Sequence, residues 1–188
     1  MTKARLKKQR LAARSLIFEL TGKKLKHSKT GRPLLGKGID LSVSHKDNLT
    51  RVKFVPAPYK IGIDIEKLDV DISAELFLGP MITEKEIPFL NSFCRREGLS
   101  LASGVAAFWS VKESFFKCLD YDLKPGKIGI LSISKSGAVR ICFSEEIKNL
   151  MAKRRLDFFS SKVAFAGGYF YSETIMKERS FSKPFLFL

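Results

Sequence analysis

Residues 61–66 read Ile-Gly-Ile-Asp-Ile-Glu, an alternation of isoleucine with a small or acidic residue. Side chains alternate between the two faces of a β-strand, so this stretch predicts a strand with three isoleucines on one face. Asp64 and Glu66 then emerge together on the other face. Two neighbouring carboxylates repel and raise each other's pKa, and a divalent cation relieves this repulsion. Hard oxygen donors suit Mg²⁺, although a solvated strand face would show the same pattern.

A second pattern predicts a helix over residues 105–119, where apolar side chains recur at helical spacing. Glu113 and Lys117 lie four residues apart on one face of this helix, which is also the spacing of an ordinary surface ion pair. Lys112 lies nearer the apolar border, where a long side chain can keep its ammonium group in water. The spacing alone leaves open whether Glu113 and Lys117 belong to a site.

The remaining pattern is a series of short strands and helices, and each half of the chain begins with an apolar helix. The first helix is predicted over residues 3–20 and ends before Gly22, a favourable residue after a helix. Its core-facing stripe is expected to consist of Leu6, Leu11, Ala12, Leu16, Ile17 and Leu20. A capping box of Thr83 and Glu86 begins a further helix. The other predicted elements are strands at 41–44, 52–55, 128–134, 138–143 and 163–171 and a helix at 145–155.

The composition is that of a globular protein of 188 residues with a formal net charge of +15. This charge predicts a polyanionic partner, which is left open among nucleic acid, a phosphate-rich small molecule, an acidic protein and an anionic membrane. No apolar run approaches the roughly 18 residues of a membrane span. An odd number of cysteines without close pairs argues against a disulfide framework or a zinc site. Cys94, Cys118 and Cys142 are therefore expected to be reduced thiols.

Two short motifs in the first half carry groups that suit phosphate. Gly31-Arg32-Pro33 predicts a stiff turn that presents a cation. Ser44-His45 ends a predicted strand, and a hydroxyl and an imidazole can both donate to phosphate oxygens. A satisfied histidine at the end of a strand is an equally good interpretation. No glycine-rich nucleotide loop and no nucleophile elbow occurs in the sequence.

The order of four motifs is more specific than any one of them. G-R-P-L-L, S-V-S-H, I-G-I-D-I-E and F-W-S-V-K-E-S-F-F-K follow one another between residues 31 and 117. This text resembles the 4′-phosphopantetheinyl transferase superfamily, in its longer type that activates surfactin or enterobactin synthetase. The resemblance implies an α+β fold of two similar lobes in one chain, each a small antiparallel sheet packed on a long helix. This pseudo-dimer would have a shortened first lobe at 1–59 and a second lobe at 60–188.

The resemblance also implies an activity and a set of roles. Family members transfer the 4′-phosphopantetheine group of coenzyme A to a serine of an apo carrier protein and release 3′,5′-ADP. Asp64, Glu66 and Glu113 would hold Mg²⁺, and the catalytic residues would be Asp64, Glu113 and Lys117. The positions implied to contact coenzyme A are Arg10, Arg14, Arg32, Pro33, Ser44, His45, Lys112 and Lys117. Of these, the Arg32 turn would lie against the adenine.

This sequence departs from the family's N-x-S-H-S motif at two positions, because Ser42 replaces the Asn and Lys46 replaces the last Ser. Lys46 either contacts a phosphate or faces solvent. The segment 81–104 is expected to dock the carrier protein, with Phe89, Leu90 and Phe93 beside Arg95 and Arg96.

Two other functions compete with the transferase. A basic nucleic-acid-binding protein would explain the charge, and an inactive homologue would bind carrier proteins without modifying them. We expect a cytoplasmic monomer that binds coenzyme A and an acidic carrier protein, and neither nucleic acid nor a membrane.

Overall fold

The computed structural model describes residues 3–28, 31–68 and 79–179. Its helices are α1 Lys3–Thr21, α2 Ile87–Glu97, α3 Leu101–Leu119 and α4 Glu145–Lys153. Its strands are β1 Lys26–His27, β2 Pro33–Leu34, β3 Ile39–Lys46, β4 Leu49–Pro56, β5 Tyr59–Lys67, β6 Ile128–Ile133, β7 Val139–Phe143, β8 Leu156–Ala166 and β9 Tyr169–Glu178. Within these ranges, no helix has the length and apolar character that crossing a bilayer requires.

The strands form four small antiparallel sheets, in the orders β1-β2, β3-β4, β5-β9-β8 and β6-β7. Helix α3 packs on β5 and β9, so the fold mixes helices with small antiparallel sheets, as expected. The single strand predicted over 163–171 is wrong. The chain reverses there at Gly167 and Gly168, whose φ angles of 57° and 79° lie in the left-handed region, and the segment is divided between β8 and β9.

The contact of α3 with β5 depends on Gly62. A Cβ atom at this position would lie 1.8 Å from the backbone oxygen of Ser114 and 2.4 Å from the backbone nitrogen of Cys118. Both atoms belong to the backbone of α3, which cannot move aside as a flexible side chain can. The missing side chain therefore allows the helix to lie directly against the strand that carries Asp64 and Glu66.

We expect the Gly62→Ala substitution to lower the free energy of unfolding by about 3 kcal/mol or more, because helix and strand would have to separate. Urea denaturation measures the loss. Gly126→Ala is the matched control, since a Cβ atom there meets only Thr83 Cγ2 at 3.9 Å. Equal denaturation midpoints for the Gly62→Ala variant and the native protein would contradict this account of the packing.

The buried face of α1 differs from the predicted apolar stripe. Gln9, Ala13 and Ile17, spaced four residues apart, are buried. Leu11 and Leu20 are 53% and 62% exposed. The stripe is therefore wrong at these two leucines and at Ala12, which is also exposed, and the predicted Leu6 side chain lies outside the described ones. The helix packs mainly on β4, so only a narrow face of it is covered.

Side chains of β3 cover one edge of β5. Three side chains on the same face of β3 accept hydrogen bonds from three backbone N–H groups of β5, whose other edge pairs with β9. The acceptors are Asp40, Ser42 and Ser44, and the donors in the same order are Ile61 at 2.8 Å, Ile63 at 3.0 Å and Ile65 at 3.1 Å. These bonds satisfy N–H groups that a buried strand edge would otherwise leave unpaired. They also fix the first part of the chain to the strand of Asp64.

Candidate active site

A cavity of about 620 Å³ lies between β3, β5 and α3. Strand β5 contributes Asp64 and Glu66, and α3 contributes Glu113 and Lys117. His45, from the end of β3, also lines it. The structure thus brings together four side chains from two distant motifs, and we call this cavity the acidic chamber.

Asp64 is the most buried acid of the acidic chamber. Its Oδ1 accepts hydrogen bonds from Ser44 Oγ at 3.0 Å and from Lys117 Nζ at 2.5 Å. Its Oδ2 is buried and has no hydrogen-bond partner. Burial raises the pKa of Asp64 to about 7, against the opposing effect of the Lys117 ammonium, and the Glu113 carboxylate adds to the rise. An unpartnered buried oxygen of this kind favours a proton or a cation.

The raised pKa of Asp64 predicts a pH-dependent stability in the metal-free protein. The folded state holds the proton more tightly than the unfolded chain, so this contribution is present below about pH 4 and is lost as the pH rises through about 7. An Asp64→Asn variant keeps the shape without this titration. We expect native stability to fall relative to the variant between about pH 4 and pH 7. Urea denaturation in a chelating buffer measures both, and parallel pH profiles would contradict the assignment.

Two lysines neutralise the carboxylates of the acidic chamber. Lys117 Nζ lies 3.1 Å from Glu113 Oε2, in addition to its bond to Asp64. The pKa of Lys117 is raised, because the Asp64 and Glu113 carboxylates outweigh the lowering effect of burial. Lys46 Nζ pairs with Glu66 Oε2. In the part of the chain that the structure describes, no three His, Cys, Asp or Glu side chains already form a group that could hold a metal.

A second cavity, of about 390 Å³, adjoins the acidic chamber and is basic. Arg10 and Arg14, one turn apart on α1, line it together with Pro33 and His45. Four of the positions implied to contact coenzyme A therefore share one cavity, and His45 belongs to both. His27 also lines this basic cavity. No pattern in the Lys- and Gly-rich sequence around His27 predicted it.

His45 lies at the junction of the two cavities. Its Nδ1 is 3.0 Å from Thr50 Oγ1 on the neighbouring strand. Burial lowers the pKa of His45, and the positive charges of Lys117 and Arg10 lower it further. A bound phosphate would oppose these effects, so the imidazole is placed where an anion would favour its protonated form.

The guanidinium group of Arg32 is occupied within the protein. It donates to Asp40 Oδ2 at 2.5 Å, to the backbone oxygen of Ile61 at 2.8 Å and to that of Cys118 at 3.3 Å. It also donates to the backbone oxygen of Lys117. The last carbonyl groups of a helix have no hydrogen-bond donor within the helix, and the Arg32 guanidinium group donates to two of them at the end of α3. The guanidinium group therefore joins the first part of the chain to α3, and the contact of the Gly31-Arg32-Pro33 turn with adenine stays a prediction.

Lys112 is the clearest correction among the predicted site residues. It is fully buried, and its Nζ donates to Glu86 Oε2 at 2.7 Å, Met81 O at 2.8 Å and Pro125 O at 3.1 Å. All three donors of the ammonium group are therefore used away from the acidic chamber. Lys112 is not assigned to coenzyme A, and it instead supports α3 from the opposite side.

Ser44 also has a different role from the predicted one. Its hydroxyl donates to Asp64 Oδ1 and accepts from the backbone N–H of Ile65, and the side chain is buried. Ser44 therefore orients Asp64, and both of these interactions are internal to the protein. This corrects the prediction that it contacts a coenzyme A phosphate.

Gln9 is a residue of the acidic chamber that the sequence did not indicate. Its Nε2 donates to the backbone oxygen of Asp47 at 2.7 Å, which fixes the orientation of the amide. Its Oε1 is buried without a hydrogen-bond partner. A single glutamine in a basic helix carries no periodic or motif signal, so only the structure identifies it.

The predicted carrier-docking segment is partly core. Leu90 and Phe93 are buried on the face of α2 that packs on α3. Phe89 is 38% exposed, and Arg95 and Arg96 are exposed beside it. The predicted docking surface is therefore wrong at Leu90 and Phe93 and is reduced to Phe89 and the two arginines.

Residues 60–162 match the family model described as the 4′-phosphopantetheinyl transferase superfamily. The match covers more than half of the chain. The chain therefore belongs to the 4′-phosphopantetheinyl transferase superfamily. No curated protein sequence matches it.

Solved structures of holo-[acyl-carrier-protein] synthases resemble the chain in fold. The enzyme from Neisseria meningitidis has a TM-score of 0.50 and 14% identity, over 63% of this chain and 98% of that one. The "Chronobacterium ammoniagenes ACPS-CoA complex" gives a TM-score of 0.48 and 12% identity, over 65% and 98%. The Helicobacter pylori enzyme in complex with coenzyme A gives 0.45 and 23%, over 62% and 99%. The first likeness supports the mixed fold of helices and small antiparallel sheets.

Proposed function

We propose that the protein transfers the 4′-phosphopantetheine group of coenzyme A to a serine of an apo carrier protein and releases 3′,5′-ADP. One observation carries the proposal. The acidic chamber, with Asp64, Glu66, Glu113 and Lys117, adjoins a basic cavity lined by Arg10. Phosphoryl transfer requires charge neutralisation and in-line positioning more than covalent help from the protein, and the two adjoining cavities offer both.

In this proposal, coenzyme A lies across the two cavities. Arg10, Arg14 and His45 bind the phosphates of the nucleotide portion in the basic cavity, as charge-assisted hydrogen bonds to phosphate are strong. Pro33 lines the same cavity and packs against the adenine. The pyrophosphate then lies at the acidic chamber, next to Lys117.

The transfer step uses residues of α3. The serine hydroxyl of the carrier attacks the phosphorus that bears the pantetheine arm, and a P–O bond to the departing 3′,5′-ADP breaks. Glu113, which is partly exposed at the acidic chamber, accepts the hydroxyl proton. Lys117 donates to the departing phosphate oxygen and neutralises its charge. Ser44 keeps Asp64 oriented through the 3.0 Å hydrogen bond.

The donor set of the acidic chamber fits Mg²⁺. Asp64 has an unpartnered buried oxygen, and Glu66 and Glu113 supply further hard oxygen donors next to it. These three carboxylates would hold the ion. When bound, Mg²⁺ would neutralise charge on the pyrophosphate oxygens.

The finer assignments are part of the proposal. The order of the four motifs supports the surfactin- or enterobactin-synthetase-activating type. It also supports a pseudo-dimer with lobes at 1–59 and 60–188, in which the first lobe is short. The net charge of +15 supports an acidic carrier protein as partner. The resemblance to the transferase superfamily also leads us to propose that the protein is a cytoplasmic monomer.

The test is to mix the protein with an apo carrier protein, coenzyme A and Mg²⁺ and to follow the carrier by mass spectrometry. Addition of one phosphopantetheine group, together with release of 3′,5′-ADP, is the expected result. Binding of the carrier without any addition would favour an inactive homologue. Binding of nucleic acid in place of coenzyme A would favour the basic nucleic-acid-binding alternative.

A further inference from the structure

Contacts made by the neighbouring turn hold the backbone of Lys46 in place. Lys46 ends β3, directly before the turn at Asp47, whose φ of 51° is left-handed. This turn is held on two sides, because Gln9 Nε2 donates to Asp47 O at 2.7 Å and Tyr169 OH donates to Asp47 Oδ2 at 3.0 Å. The backbone of Lys46 is therefore anchored between α1 and β9 at the rim of the acidic chamber.

The side chain of Lys46 is much less restrained than its backbone. It is 34% exposed, and its ammonium group pairs with Glu66 Oε2. Glu66 is more buried, at 15%. Burial raises the pKa of Glu66, and the hydrogen bond from Lys46 opposes this effect. Lys46 thus supplies the positive charge that the Glu66 carboxylate needs while the protein holds no other cation there.

A divalent cation and the Lys46 ammonium cannot both be the close partner of the same carboxylate oxygen. With Asp64 ionised, as binding of a cation to it requires, Lys46 and Lys117 carry two positive charges in the acidic chamber against three negative charges on Asp64, Glu66 and Glu113. A divalent cation bound to the carboxylates gives the acidic chamber a net positive charge. The phosphates of coenzyme A restore the balance, and a four-carbon side chain with free rotation can move to them.

We propose that Lys46 is a phosphate-binding lysine in addition to Lys117, and that it pairs with Glu66 until a divalent cation binds there. In the metal-free protein, it neutralises Glu66. When a divalent cation occupies Glu66, the Lys46 ammonium moves to a phosphate oxygen of coenzyme A. This inference rests on the proposed function. It assigns a function to one of the two positions at which the chain departs from the family motif.

The test compares two affinities in a Lys46→Met variant, which keeps an unbranched side chain of similar length and removes its charge. Mn²⁺ binding without coenzyme A, measured by electron paramagnetic resonance, is expected to tighten about three- to tenfold, because a competing cation is gone. Coenzyme A binding in the presence of Mg²⁺, measured by calorimetry, is expected to weaken about tenfold, because a charge-assisted hydrogen bond is lost. The two affinities therefore change in opposite directions.

Two control variants make the result specific. The Lys46→Arg variant keeps the charge and is expected to bind Mn²⁺ with about the native affinity. Lys53→Met removes a similar ion pair, with Glu173 on β9, from a position that does not line the acidic chamber. We expect Lys53→Met to change neither affinity.

Unchanged Mn²⁺ affinity in the Lys46→Met variant would overturn the competition at Glu66. Unchanged coenzyme A affinity would overturn the phosphate contact. Equal effects of Lys53→Met would show that the net charge alone is responsible, which also overturns the proposal. The native transfer assay is scored separately. If native protein fails to transfer, the proposed function fails, while the Mn²⁺ titration still reports on Lys46 and Glu66.

Discussion

The Glu113→Gln variant is expected to lose transfer activity by about 10²–10⁴-fold while remaining folded. Glu113 lines the acidic chamber on α3 and contacts the Lys117 ammonium at 3.1 Å. A glutamine there cannot accept the serine proton, and it is a weaker donor to a cation. Mass-spectrometric rates of carrier modification measure the loss. Thermal unfolding verifies that the variant is folded, as expected for a side chain that is a quarter exposed.

The matched control is Glu97→Gln, which breaks the pair of Glu97 with Arg96 on α2. That variant is expected to transfer at about the native rate. Chelation of divalent cations is expected to stop the native enzyme, and added Mg²⁺ is expected to restore it. A Glu113→Gln variant that works within tenfold of the native rate would remove Glu113 from the proposed mechanism.

The Lys112→Met variant is expected to lose about 3–5 kcal/mol of unfolding free energy. Its partner Glu86 is buried and also accepts hydrogen bonds from the backbone N–H groups of Thr83 and Ile130. Removing the ammonium group leaves a buried carboxylate without its counter-ion. The physical cause of the loss is the uncompensated charge of Glu86, and the loss is measured by urea denaturation.

A second variant separates this cause from a simple loss of packing. In Lys112→Met combined with Glu86→Gln, both charges are gone, and the amide oxygen of glutamine can still accept from Ile130. We expect the double variant to be clearly more stable than Lys112→Met alone. A double variant no more stable than the single one would show that packing, and not charge, is responsible. Lys124→Met, which removes an exposed pair with Glu146, is expected to change stability little.

The sequence predicted much of the framework of the site. The alternation at 61–66 and the helical spacing at 105–119 both describe local geometry, and the structure has a strand and a helix there. Because side chains two apart on a strand share a face, the sequence also placed Asp64 and Glu66 side by side. The order of motifs predicted that the acids of β5 and the Glu113–Lys117 pair of α3 belong together.

Periodicity alone misplaced the apolar face of α1 and merged β8 with the start of β9. In α1, a basic helix with scattered leucines has no single strong stripe, and packing on β4 selected Gln9, Ala13 and Ile17. At 163–171, small and aromatic residues on both sides of Gly167 resembled one strand. The Gly167-Gly168 pair between two apolar runs is itself a hairpin signal that the predicted single strand overlooked, and the left-handed backbone at both glycines confirms the turn.

The tertiary structure determined which partner each cationic side chain has. Lys112 and Lys117 lie five residues apart on one helix, and the sequence assigned both to coenzyme A. Lys112 faces Glu86 and becomes fully buried, whereas Lys117 faces Asp64. Arg32 likewise binds the end of α3. Local spacing determines on which face of an element a charge lies. Which partner that face meets depends on segments distant in the chain, because burial and ion pairing form only when those segments pack together.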